Sequence, residues 1–160
     1  MEKLNAGPRL IIICGLPGSG KTTRAQLLQD KLCAVRFSPD EWMADLALDP
    51  YDEAKREKIE ALQWKIAEEL LVLGLTVIIE WGTWSKSERD SLRIKARTLG
   101  AAVELYYLSA PVDDLFDRIQ RRGKESPPIE RDMMLRWARM FQEPTLEEMA
   151  LFDKPLAMEM

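Results

Sequence analysis

Apolar runs alternate with amphipathic stretches along this chain. Residues 9–14 hold Leu10, Ile11, Ile12 and Ile13 in an unbroken row, the pattern of a central strand covered on both faces. Shorter apolar runs at 34–37, 76–80 and 102–108 predict three more strands. Between them the period changes. Residues 21–31 read as a helix with Ala25, Leu28 and Leu32 facing inward. Residues 51–73 carry Ile59, Leu62, Ile66, Leu70 and Leu73 in steps of three and four, which predicts one apolar stripe stopped by Gly74. Residues 85–99 predict a helix with Ser85 as N-cap, Glu88 three positions on and Gly100 beyond its end. A helix over 112–122 turns Leu115 and Ile119 inward, and a polar loop over 123–128 follows. Residues 130–141 and 144–151 are helical again, the second with Thr145 as cap and Glu148 behind it. Residues 1–8 read as a loose lead-in, and no pattern continues past Asp153.

Strands alternating with helices predict an α/β fold, a parallel sheet with crossover helices on both faces. In such sheets ligands bind beyond the carboxyl ends of the strands. The 160 residues suit one domain and show no internal repeat. The formal net charge of −4 weighs against a grip on duplex nucleic acid. The chain has no histidine, so imidazole bases, Ser-His pairs and His-ligated zinc are excluded. Cys14 and Cys33 lie beside apolar residues and are expected to be buried thiols in a reducing cytoplasm. No apolar run is long enough to span a bilayer.

The chemistry gathers at the strand ends. After the first strand, Gly15-Leu16-Pro17-Gly18-Ser19-Gly20-Lys21-Thr22 matches G-x-x-x-x-G-K-[ST], with Thr23 next and a helix behind. Such a loop turns its backbone N–H groups inward on phosphate oxygens, Lys21 adds positive charge, and Thr22 offers a hydroxyl to Mg²⁺. After the second strand, Asp40 reads either as a helix cap or as a general base for a hydroxyl proton. Glu80 ends the third strand, either because the strand has reached solvent or because Mg²⁺, directly or through water, is its partner. Arg118, Arg121 and Arg122 suit a helix C-terminus electrostatically and also suit a lid over a transferring phosphoryl group, with Arg118 ranked before Arg122. Trp42, Trp81 and Trp84 sit at the same mouth, either lining an acceptor pocket or packing under loops, whereas Trp64 and Trp137 read as structural. Arg89 belongs to a solvated helix face or reaches the acceptor.

Gly15–Thr22, Asp40 and the Arg118-x-x-Arg121-Arg122 segment together resemble the small P-loop kinases of the polynucleotide kinase, zeta toxin and chloramphenicol phosphotransferase group. The chain is still more similar to a bacterial set usually labelled AAA-family ATPases. That likeness rests on Asp40-Glu41-Trp42-Met43, Ile59-Glu60-Ala61-Leu62-Gln63-Trp64, Glu80-Trp81-Gly82-Thr83-Trp84-Ser85 and Phe141-Gln142-Glu143-Pro144-Thr145, and covers roughly residues 9–153. The resemblance implies a three-layer P-loop NTPase fold with five parallel strands in the order 2-3-1-4-5. It also implies ATP with Mg²⁺, transfer to a hydroxyl, Asp40 as base and a lid arginine. Glu80-Trp81-Gly82 stands where many relatives carry Asp-Ala-Thr, so no relative's acceptor transfers to this chain. The expected function is phosphorylation of a hydroxyl on a small molecule. The alternatives are a nucleotide-dependent switch working through a protein partner and a kinase of 5′-hydroxyl nucleic acid ends.

Overall fold

The computed structural model describes residues 7–159, so most of the lead-in expected over 1–8 lies outside the described residues. Four strands, β1 (Arg9–Cys14), β2 (Val35–Phe37), β3 (Thr76–Gly82) and β4 (Ala102–Tyr107), form one parallel sheet in the order β2-β3-β1-β4. The helices are α1 (Lys21–Leu32), α2 (Pro39–Asp45), α3 (Glu53–Val72), α4 (Lys86–Thr98), α5 (Val112–Arg122), α6 (Arg131–Met140), α7 (Leu146–Met149) and α8 (Leu156–Glu159). Among the described residues no helix is long and apolar enough to cross a membrane.

The two-residue period of the strands sorts the core into two layers. Leu10, Ile12, Val77, Ile79, Val103 and Leu105 face Trp64, Ala67 and Leu71 of α3 and Leu92 and Ala96 of α4. Ile11, Ile13 and Ile78 face Ala25 and Leu28 of α1. A smaller cluster joins Leu115 and Ile119 of α5 to Ile129 and Met134. The caps fall where the sequence puts them: Ser85 accepts from the Glu88 amide and Thr145 from the Glu148 amide.

Four expectations are corrected. The fifth strand is absent among the described residues, where helices follow β4. The outer edge of β4 is paired instead with a single residue: Asp153 donates its amide to the Val103 carbonyl at 2.7 Å, and its carboxylate accepts from the Val103 amide at 2.7 Å. On α3 the buried positions are Ile59, Gln63, Trp64, Ala67 and Leu71, while Leu62, Ile66 and Leu73 of the predicted stripe are exposed. The sheet-facing side needs a small residue for close approach and an acceptor for the Trp81 indole, so Ala67 and Gln63 displace larger apolar side chains. Cys14 is buried, and burial pushes its thiol pKa up, but Cys33 is exposed in the left-handed turn that ends α1.

The fourth correction concerns Arg89, which neither lies on a solvated face nor reaches toward an open acceptor site. It is wholly buried, donates twice to the buried Glu148 carboxylate (2.6 and 3.0 Å), and donates to the carbonyls of Thr83 (2.8 Å) and Gln142 (2.7 Å). It ties α4 and α7 to the turn after β3. Arg89→Ala leaves Glu148 and two carbonyls without partners and is expected to lower stability by about 3–5 kcal/mol. Urea unfolding checks this, and a midpoint unchanged from wild type contradicts it.

Candidate functional site

The loop between β1 and α1 sits against three other elements. The Gly15 amide donates to the Gly82 carbonyl at 3.2 Å, joining the loop to the end of β3. A Cβ on Gly15 would lie 2.6 Å from the Leu108 carbonyl oxygen beyond β4, so no larger residue fits there. Gly18 has φ +82°, and a Cβ there would lie 2.8 Å from the Leu115 carbonyl of α5. Pro17 and Ser19 fill the turn between these glycines, and Gly20 precedes α1, whose first turn holds Lys21, Thr22 and Thr23. The free N–H groups of that helix start, with its positive dipole end, form an anion site.

Lys21 folds back over the loop. Its ammonium donates to the carbonyls of Gly15 at 2.9 Å and Leu16 at 3.0 Å. Burial pushes its pKa down to about 8, against the opposing pull of the Asp40 and Glu80 carboxylates. Both carboxylates therefore act on the ammonium, although one lies on α2 and the other in β3. The Thr22 hydroxyl donates to Glu80 Oε1 at 2.9 Å, and the other Glu80 oxygen pairs with Arg36 at 3.3 Å. Glu80 is buried, so the strand has not simply run out into solvent. Among the described residues no three acidic or cysteine side chains converge on one point. The donor set suits Mg²⁺, which keeps most of its shell for phosphate and water: Thr22 and Glu80 would hold it.

Asp40 lies in the first turn of α2, but Ser38 is the cap, accepting from the Glu41 amide at 3.3 Å. The Asp40 carboxylate is thus free of capping duty, and its side chain is 74% exposed. It pairs with Arg56 of α3. Arg118 donates to the Gly18 carbonyl at 3.3 Å, which puts it beside the tip of the phosphate loop. Arg122 pairs with Glu125. The loop over 123–128 also meets the segment before α3, where the Tyr51 hydroxyl donates to the Pro127 carbonyl at 2.6 Å.

The three tryptophans of the mouth are half-buried and pack against the main core. Trp42 meets Phe37 edge-on with centroids 6.0 Å apart, Trp81 meets Trp64 at 6.4 Å, and Trp84 tilts against Trp137 at 6.0 Å. The Trp81 indole donates to Gln63 at 2.9 Å. Sequence reasoning missed Arg36, Arg56 and Glu60. Arg56 and Glu60 are four apart on a helix, which in a sequence signals only a surface ion pair.

Two outcomes test the phosphate site. Lys21→Ala is expected to abolish tight ATP binding, and unchanged affinity in calorimetry would place the nucleotide elsewhere. In the wild type, bound phosphate favours the protonated ammonium. Above pH 8 the free lysine has lost its proton, so binding must take one up. Affinity should then fall as pH rises from about 8 toward the ordinary 10.5, by at most about tenfold per unit. A flat profile across that window contradicts a lysine poised at 8.

The fold is shared with solved kinases and with other nucleotide-binding proteins. A gluconokinase from Sinorhizobium meliloti 1021 is 18% identical over 88% of this chain and 78% of that one, with a TM-score of 0.63. A chain of the Pnkp1/Rnl/Hen1 RNA repair complex is 21% identical with a TM-score of 0.74; the match covers 92% of this chain but only 47% of that one. Chaetomium thermophilum Kti12, in complex with ADP-AlF3, is 21% identical over 85% of this chain and 81% of that one, with a TM-score of 0.65. No curated protein matches the sequence. The family profile AAA_33, described as an AAA domain, matches residues 10–144, and the chain belongs to that family, within the P-loop kinase-like group.

Proposed function

We propose that this protein transfers the γ-phosphoryl group of ATP to a hydroxyl of a small molecule. The observation that carries the reading is Asp40. It is a carboxylate in the first turn of α2, just after β2, released from capping by Ser38, exposed, and close enough to Lys21 to oppose the burial that lowers the lysine pKa. A module that only switches between nucleotide states has no need of an exposed carboxylate on the acceptor side.

Mg·ATP supplies the transferable group and a counter-charge for it. The loop amides and Lys21 bind the phosphates, and the Lys21 ammonium exchanges its bonds to the Gly15 and Leu16 carbonyls for phosphate oxygens. Thr22 and Glu80 would hold the Mg²⁺, with Arg36 paired to the other Glu80 oxygen. Asp40 accepts the proton of the attacking hydroxyl. Arg118, beside the loop tip, would meet the phosphate oxygens on which charge develops, and Arg122, paired with Glu125, ranks second to it. The tryptophans at the mouth offer faces to the acceptor: Trp42 follows Asp40 by two positions, and the Trp81 carbonyl shares Arg56 with it.

Among the solved neighbours are a gluconokinase, a protein described as a sugar kinase, and an RNA repair complex. They put sugars, sugar acids and 5′-hydroxyl oligonucleotides on the acceptor panel, to which nucleosides, aminoglycosides and chloramphenicol are added. ADP release should rise with one class, and Asp40→Asn should keep ATP affinity within about threefold while cutting transfer by 10²-fold or more. Transfer retained in Asp40→Asn removes the carboxylate from the chemistry. Slow hydrolysis that no acceptor stimulates supports the switch reading instead, which the Kti12 likeness keeps open.

A further inference from the structure

Asp40 has a problem that its own helix does not solve. It sits in the first turn of a seven-residue helix, it is not the cap, and its side chain is 74% exposed. A carboxylate so placed samples several rotamers, whereas proton transfer needs one. Among the described residues the side-chain partner of Asp40 is Arg56, from a helix 16 positions further on.

Arg56 is itself held from two other sides. Nη1 pairs with Asp40, Nε donates to Glu60 Oε1 at 3.1 Å, and Nη2 donates to the Trp81 carbonyl at 3.4 Å. The guanidinium is planar, so anchoring two of its nitrogens fixes the direction of the third. Glu60 anchors it from α3 and the Trp81 carbonyl from β3, the strand that also carries Glu80. An ordinary surface ion pair between positions four apart has one partner and is worth a few tenths of a kcal/mol. This arginine instead bridges three elements: α2 through Asp40, its own helix α3 through Glu60, and β3 through the Trp81 carbonyl.

We propose that Arg56 is a positioning residue for Asp40, and that Glu60 and the Trp81 carbonyl anchor it for that task. The inference rests on the reading of Asp40 as the proton acceptor. It assigns Glu60 a second effect. Arg56, Glu88 and Asp40 all act on Glu60, and burial raises its pKa to about 7, with Glu88 adding to the rise and Arg56 opposing it. Burial raises the pKa of Glu88 as well. Above that pH an ionised Glu60 holds the guanidinium as an ion pair, and below it only as a neutral hydrogen bond, which loosens the hold on Asp40. Transfer should therefore quicken as Glu60 ionises.

The test compares wild type, Asp40→Asn, Arg56→Ala, Arg56→Lys and Glu60→Gln. Rates are read with Mg·ATP on the panel member that stimulates ADP release most, and on water as acceptor in basal hydrolysis. Arg56→Ala should lose about 10–100-fold in kcat with KM for ATP within twofold of wild type. Millimolar methylguanidinium should restore much of that loss, which a merely structural role would not allow. Arg56→Lys should recover only part, because one ammonium does not hold three partners. Glu60→Gln should lose the kcat inflection near pH 7. The proposal is overturned by Arg56→Ala at wild-type kcat, or by a loss that methylguanidinium leaves untouched. Asp40→Asn at full transfer has a different meaning: it overturns the role of Asp40 and, with it, any need to position that residue.

Discussion

The site depends on how closely the phosphate loop approaches its neighbours at Gly15. There the backbone passes between the end of β3, to which it donates a hydrogen bond, and the chain leaving β4, which leaves no room for a side chain. Gly18 makes a similar approach to α5. The loop is therefore clamped on three sides before any ligand arrives, and its amides are aimed by packing rather than by the ligand. That clamp explains the investment behind the loop. Arg89, held by the buried Glu148, donates to the Thr83 carbonyl, and Cys14 donates to the same carbonyl at 3.5 Å. A buried ion pair is a costly way to gain stability, but it fixes geometry when every partner is present.

Charge is distributed across the mouth in matched pairs. Glu80 has Arg36, Asp40 has Arg56 and, beneath them, Glu148 has Arg89. Lys21, like Arg118 at the loop tip, bonds neutral carbonyls instead, and burial partly strips it of its charge preference. An ammonium in that state gains most from an arriving polyanion, because phosphate restores what burial removed. The pairs hold the carboxylates in place while leaving the net charge of the loop positive.

Much of this was legible from the residues. Strand runs such as Leu10–Ile13 are too apolar to be anything but buried, and the Ser85–Glu88 and Thr145–Glu148 spacings gave their caps directly. The phosphate loop announced itself because its chemistry is local: glycines, lysine and threonine are adjacent in sequence. What failed was non-local. On α3 the apolar count favoured Leu62 and Ile66, but the sheet selected Gln63 and Ala67, because the Trp81 indole needed an acceptor and the helix needed to come close. Arg89 looked solvated because Glu148, its partner, lies 59 residues away. The expected fifth strand came from resemblance alone, and here Asp153 satisfies the edge of β4 that such a strand would cover. Arg56 escaped notice for the same reason as Arg89. Its role is set by Asp40 and Trp81, neither of which its own helix supplies.

The central claim is that nucleotide phosphates and their metal occupy the clamped loop together with the end of β3. Amide hydrogen exchange with and without Mg·ATP tests it most directly, since it needs no knowledge of the acceptor. The account predicts slowed exchange across residues 15–23 and in the turn 80–84, which Thr22, Glu80 and the Gly15–Gly82 bond tie to the loop. Protection confined to other parts of the chain, or none at saturating Mg·ATP, would contradict it.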